Sequence, residues 1–235
     1  MKKIKSPAAA LGETVGRLVE EAIRKAIEEI VKSYGLKISE TKRLKDRVNV
    51  EFEIDMPILK GEKLIALIDV KYLKYKKHAR DKGSWVVVAH SRLRATYPEI
   101  KRSLVILTGP GWTKGAVRMI STSCIDVIPL DPKLVNDIFA KYEINLMWEE
   151  KNAETPKISW ERLQKLLGEK EKLEEIKKRI IEKSGIKGFL EQWFKRYVLE
   201  VDPEEKIPLP YICPEAGGRW RRLNEFISGT EPGSP

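Results

Sequence analysis

The chain is poor in the residues that small folds use as staples. It has two cysteines, Cys124 and Cys213, far apart and without a CxxC partner. That spacing argues against a disulfide framework or a structural zinc site and fits a reducing cytoplasm. The two histidines, His78 and His90, stand at no metal-ligand spacing and read as loop or packing residues. No apolar run is long enough to cross a bilayer. The opening stretch, Met1 to Ala10, begins like a signal peptide but runs straight into a charged helix, which argues against that role. Internal repeats are absent. Glutamine and asparagine are scarce beside lysine and glutamate, a balance resembling that of heat-adapted proteins.

Positive charge is what the chain has in excess. Lys and Arg number 45 against 35 Asp and Glu, a formal net charge of +10 at pH 7. Such an excess favours a polyanionic partner, and nucleic acid ahead of a membrane surface because no strongly amphipathic basic anchor stands out. At 235 residues the chain can bury a substantial core, as one domain with a helical appendage.

Residues 48–71 organise the rest. The first part alternates, with Val48, Val50, Phe52 and Ile54 on one face and Glu51, Glu53 and Asp55 on the other, so it reads as a strand. Lys60 to Lys63, around Gly61, reads as a turn. Leu64 to Ile68 is apolar throughout, a strand buried on both faces, and it ends in Asp69 and Lys71, which share a face. A turn near Gly61 puts Asp55 within cross-strand reach of Asp69.

A long amphipathic helix over 8–34 precedes this hairpin, with Glu20 beside its apolar stripe. After the hairpin, a basic segment at 72–83 leads to a helix capped by Ser84 and running to about Ala95. A strand at 103–108, a helix at 114–122, a strand at 125–129 and a helix from Pro132 to about Lys141 follow. The order predicts an α/β fold with a mixed central sheet flanked by helices. Residues 149–158 read as a connector, 159–183 as a helix broken near Gly168, and 186–199 as another. The expected organisation is a core over 1–148, a helical extension over 149–228 suited to dimerisation or DNA binding, and a loose tail over 229–235. Gly109 to Gly115 lacks the spacing of a phosphate-binding loop and reads as a turn.

Asp55, Asp69 and Lys71 form the set that phosphodiester hydrolysis requires. Mg²⁺ prefers one or two carboxylates with waters and phosphate oxygens. It activates a water and neutralises charge at phosphorus. A nearby lysine orients that water, lowers its pKa or stabilises the pentavalent centre. The alternative is a solvated strand end and a wet sheet face.

Asp55, thirteen intervening residues, then Asp69-Val70-Lys71 closing an apolar strand resembles the PD-(D/E)xK nuclease superfamily. The leading helix with Gly16 to Glu20 is similar to that family's first helix, and the element order to about residue 130 resembles its restriction-endonuclease-like core. The resemblance implies that Asp55 and Asp69 bind Mg²⁺ (Mn²⁺ as substitute) with the Val70 carbonyl, that Lys71 acts on the water, and that Glu20 is an auxiliary acid. Ile54 stands where the motif has proline, which leaves Glu53 as an alternative first ligand.

Lys74, Lys76, Lys77 and Arg80 would then hold phosphates beside the site, or else form a flexible charged loop. Arg92 and Arg94 lie on a crossover that faces substrate in the family; the alternative is surface solubility. Arg219 and Arg221, flanking Trp220, would touch nucleic acid by charge and stacking, or form a basic arm. The expected activity is a DNA endonuclease of restriction type on double-stranded DNA. Two sites are needed to cut a duplex, hence a homodimer, with 159–199 as candidate interface. The alternatives are a repair or junction-resolving nuclease on the same core, and a non-catalytic DNA-binding protein.

Overall fold

A computed structural model describes residues 6–149, 151–199, 211–212 and 221–222. Helix α1 (Pro7–Ser33) opens under Ser6, whose Oγ accepts the Ala9 N–H at 3.3 Å, and Pro7 sits in the first turn where its missing N–H costs nothing. Four short strands follow: β1 (Lys37–Ile38), β2 (Arg43–Lys45), β3 (Glu51–Glu53) and β4 (Met56–Lys60). Then come β5 (Lys63–Tyr72), a 3-10 turn at Lys76–His78, α2 (Ala79–Thr96), β6 (Arg102–Thr108), α3 (Lys114–Ser121), β7 (Asp126–Pro129) and α4 (Pro132–Ala140). Three more helices complete this part, α5 (Glu154–Leu166), α6 (Lys170–Ser184) and α7 (Ile186–Trp193), the last running into a π-helical turn at Phe194–Leu199. A small ribbon pairs β8 (Tyr211–Ile212) with β9 (Arg221–Arg222).

The fold is mixed α/β, with a five-stranded open sheet in the order β1-β4-β5-β6-β7. β4 runs antiparallel to β5, while β5, β6 and β7 are parallel. Parity along β5 and β6 sorts side chains between two layers. Ile68, Val70, Leu104 and Ile106 pack toward α1 and the later helices, whereas Leu67, Val105 and Leu107 pack toward α2 and α3. Asp69 and Lys71 share the parity of Leu67, so they project to the α2 side.

The expected strand at 48–55 is not continuous. Asp46 Oδ1 accepts the N–H groups of Val48 and Val50, each at 2.9 Å, and Asn49 takes a left-handed φ of 64°. Asparagine tolerates that conformation, and the side-chain bonds hold a turn in place of a strand. Val48 and Val50 are consequently turned out to solvent, while Phe52 and Ile54 stay buried. β3 pairs with β2 as a separate ribbon, and the chain bends at Asp55 before entering the main sheet. The turn at Gly61 (φ 62°) is where the sequence predicts it.

Helix α2 starts at Ala79, five residues before Ser84, so Arg80 and Lys82 are helical. Gly83 lies inside it because α2 packs tightly on α3; a Cβ there would stand 2.7 Å from the Met119 methyl. Of the stretch read as a helical extension, the described residues to Leu199 carry α5, α6 and α7, and their apolar stripe is spent within the protomer. Leu163, Leu166, Ile176, Ile180, Phe189 and Trp193 are all buried in one cluster with α1 and the sheet.

A buried ion pair fastens that layer. Arg102, at the start of β6, donates to both carboxylate oxygens of Asp126 at 2.9 and 3.2 Å, and the Trp193 indole N–H donates to Asp126 at 2.8 Å. Burial raises the pKa of Asp126 against the opposing pull of Arg102. Removing one partner of such a pair strands the other charge, which costs about 3–5 kcal/mol. Asp126→Ala should therefore lower stability by that amount in denaturant unfolding. A loss below about 1 kcal/mol would show that Arg102 finds water or another partner.

Candidate active site

The three acids and bases singled out from the sequence meet where β4 stops and β5 continues. The last ladder pair is Met56 with Ile68, and beyond it aspartate side chains replace backbone partners. The Asp55 N–H donates to Asp69 Oδ1 at 2.8 Å, and the Val70 N–H donates to Asp55 Oδ2 at 2.8 Å. Each carboxylate thus pins the other strand. Lys71 Nζ completes the knot, 2.9 Å from Asp55 Oδ2 and 3.2 Å from Asp69 Oδ1. The carbonyl of Val70, on the same edge of β5 as its N–H, faces the gap that β4 leaves.

Asp69 is 2% exposed and Asp55 9%, so two carboxylates share one low-dielectric site with one ammonium. Burial pushes Asp55 up, the neighbouring Asp69 pushes it further, and Lys71 only partly offsets them; its pKa rises to about 6. For Asp69, burial is outweighed by Lys71 and by the His90 hydrogen bond, which hold it well below the usual carboxylate range. Burial opposes the charge on Lys71, but Asp69 and Asp55 outweigh it and keep the ammonium above the ordinary lysine range. Lys71 is therefore the shared positive partner of both carboxylates.

His90 belongs to this site, contrary to its reading as an isolated packing residue. It is fully buried on α2, with Nε2 3.1 Å from Asp69 Oδ2. Arg24 was also missed: one turn along α1 from Glu20, it donates to the Asp55 carbonyl and braces the bend. Glu20 is 3.0 Å from Lys42 and 4.0 Å from Arg24, and its charge contributes to raising Asp55. Its carboxylate is engaged with cations beside the aspartate pair. Glu53 is exposed and lines a cavity together with Asp55, Asp69 and Lys71.

The basic residues divide. Lys76, Lys77 and Arg80 are exposed on the segment leaving β5, with Lys77 5.5 Å from the Tyr75 ring. Lys74 is drawn inward, donating to the carbonyls of Leu146 and Trp148 at 3.0 Å each and lying 4.0 Å over the Trp148 ring. Burial lowers its pKa. Arg92 pairs with Asp46 and Arg94 donates to the Cys124 carbonyl at 2.6 Å. Both are thus engaged with groups of the same chain, on the C-terminal part of α2 beyond His90. Arg219 and the side chain of Arg221 lie outside the described residues, as do Trp220 and the tail.

The Gly109–Gly111 turn works on the backbone of β5. The Gly111 N–H donates to the Leu73 carbonyl at 2.8 Å, and a Cβ on Gly109 (φ 89°) would meet that carbonyl at 2.4 Å. Only glycine fits there. Trp112 follows, its indole N–H donating to the Lys71 carbonyl at 3.1 Å. The exit of β5 is clamped on the β6 side.

The donor set suits a hard divalent cation. Among the described residues no group of three or more His, Cys, Asp and Glu side chains is arranged to hold a metal, but Mg²⁺ needs only one or two carboxylates with water and substrate oxygens. Asp55, Asp69 and the Val70 carbonyl supply that. Comparison with protein-family models, curated proteins and solved structures found no match.

A raised Asp55 pKa means the folded metal-free protein binds a proton more tightly than the unfolded chain, so this group favours folding more as pH falls from 6 toward 4. Asp55→Asn keeps an oxygen for the Val70 N–H while removing the second charge. In metal-free buffer at pH 7 it should raise the Tm by about 2–6 °C, and the gain should shrink as pH falls through about 6. Calorimetry across that range checks both; a variant destabilised at every pH would refute the electrostatic account.

Proposed function

We propose that the protein is a Mg²⁺-dependent endodeoxyribonuclease that hydrolyses phosphodiester bonds at the Asp55–Asp69–Lys71 site, with Mn²⁺ as a substitute. One observation carries this reading: two buried carboxylates are bound to each other's backbone and share a single ammonium, leaving uncompensated negative charge where β4 ends. Arg24 and Lys42 are shared with Glu20. A divalent cation relieves such an excess, whereas a purely structural site has no use for it.

Bound Mg²⁺ would supply a Lewis acid and a water of lowered pKa, held by Asp55, Asp69 and the Val70 carbonyl. Lys71, 2.9 Å from Asp55 and 3.2 Å from Asp69, orients the attacking water or stabilises charge developing on the phosphate oxygens. His90 fixes the Asp69 carboxylate from behind, and Glu20 acts through Arg24 on the bend at Asp55. The exposed Lys76, Lys77 and Arg80, together with Lys82 on the cavity rim, contact phosphates without reading sequence. This reading follows the resemblance of Asp55 and Asp69-Val70-Lys71 to the PD-(D/E)xK motif.

The restriction-type reading rests on a dimer. Its candidate interface, the apolar stripe of 159–199, is consumed inside the protomer. That supports the repair-type reading, in which one strand is cut at a time, over the restriction-type one.

Supercoiled plasmid and branched DNA incubated with Mg²⁺ or Mn²⁺, over a range of temperatures, should be cut. Asp69→Ala and Lys71→Ala should each lower the rate by about 10²–10⁴-fold while DNA binding persists. Absence of cleavage on every substrate, with binding intact, would leave the non-catalytic DNA-binding reading.

A further inference from the structure

The cavity beside the aspartate pair has an aromatic wall that metal-assisted hydrolysis does not require. It encloses about 360 Å³, the size of a small-ligand site, and is lined by Lys71, Lys82, Trp85 and Trp112 as well as by the two aspartates. Trp85 is 60% exposed. It lies on α2 next to Val86, which faces the core, so packing of the helix does not account for it. Phe52 of β3 supports its ring, with centroids 5.7 Å apart and planes tilted by 45°. Trp112 is immobilised by its bond to the Lys71 carbonyl.

A propped, exposed indole and a fixed second one stand in one cavity with the proposed metal ligands and two lysines. Lys71 and Lys82 suit a phosphate there, and the rings suit a flat π-surface. A stacked base inside duplex DNA presents only its edges, so its face is not available to an indole. An unpaired base has its face free.

We propose that Trp85, with Trp112 in the same wall, is a stacking platform for an unpaired nucleobase flanking the scissile phosphate. The substrate class is then DNA with an unpaired nucleotide at the site, such as a single strand, a flap or a frayed end. This rests on the nuclease reading of the same cavity for its scissile phosphate, and it narrows the substrate within that reading. The base sits against the indoles while its phosphate reaches Lys71 and Lys82. Glu53, the exposed carboxylate on the rim, disfavours a second phosphate on its own side.

The test uses the full chain in metal-free buffer with labelled DNA of one sequence as a single strand, a blunt duplex and a duplex bearing a single-stranded flap. Fluorescence anisotropy should show the single strand and the flap bound about tenfold or more tighter than the blunt duplex, with quenching of tryptophan emission. Trp85→Ala should weaken single-strand binding by about 5- to 150-fold and leave duplex binding nearly unchanged, while Trp85→Phe retains most of the preference. Circular dichroism and the Tm of Trp85→Ala guard against misfolding. Equal affinity for all three DNAs, or a Trp85→Ala variant that binds single strands normally, overturns the platform. So does a variant that changes only the sedimentation behaviour, which would make Trp85 a protein contact. Adding Mg²⁺ separates this from the nuclease reading. Cleavage without a Trp85-dependent preference sinks the platform alone, and a Trp85-dependent preference without cleavage sinks the nuclease alone.

Discussion

The crossed hydrogen bonds between Asp55 and Asp69 are the constraint on which the site depends. A sheet strand that outruns its neighbour leaves N–H groups that burial makes costly. Here β5 outruns β4, and the two aspartates fill the gap, each accepting a backbone N–H from the other strand. The carboxylates are therefore fixed in position by the same bonds that finish the sheet. Neither can swing away without exposing an orphaned donor. This is how a short hairpin holds two like charges close together without a ligand.

Hydrogen bonding alone does not call for charge. An asparagine oxygen would accept either N–H equally well, and a sheet end made of two asparagines would avoid the repulsion that raises Asp55. Asp69 is paired with Lys71 and hydrogen-bonded to His90, whereas Asp55 is left to share Lys71. The asymmetry matters. Burial and the Asp69 charge raise Asp55, whereas Lys71 and the His90 hydrogen bond hold Asp69 low, so Asp55 gains most from an added cation. Structural need explains the bonds, and the surplus charge is what points to chemistry.

Much of this was legible in the sequence because period-2 and period-3.6 patterns are strong where faces are buried. The run Leu64 to Ile68 and the stripe of α1 both gave their elements correctly, and the pairing of Asp55 with Asp69 followed from a turn at Gly61. The strand at 48–55 failed because alternation is blind to a side chain that competes with the ladder. Asp46 captures two N–H groups and Asn49 turns left-handed, so Val48 and Val50 leave the sheet although their spacing is ideal for it. The partners of Lys74, Arg92 and Arg94 were hidden for a related reason. A charged side chain carries no sequence mark showing whether carbonyls or carboxylates of the same chain lie within reach. His90 was within reach of inference: it falls on the buried face of α2 with Val86 and Leu93, and Asp69 faces that helix by parity. Two polar residues on facing buried surfaces imply a contact. Only the assumption that α2 began at Ser84 with an uncertain start hid that face.

Helix α2 couples the two halves of the site. Its buried side brings His90 to Asp69, and its open side brings Trp85 to the cavity, five residues earlier. Five residues span about 7.5 Å of helix axis, and the indole lines the same cavity as the two carboxylates. The helix is held from three directions: Gly83 lets it approach α3, Ala89 and Leu93 pack on Phe52, Ile54 and Leu67, and Arg92 ties its far half to Asp46. The ribbon of β2 and β3 is thereby part of the site's support, since Phe52 backs the Trp85 ring and Asp46 anchors Arg92. The ribbon that precedes the hairpin in sequence therefore touches both the aromatic wall, through Phe52, and the helix that carries His90, through Asp46.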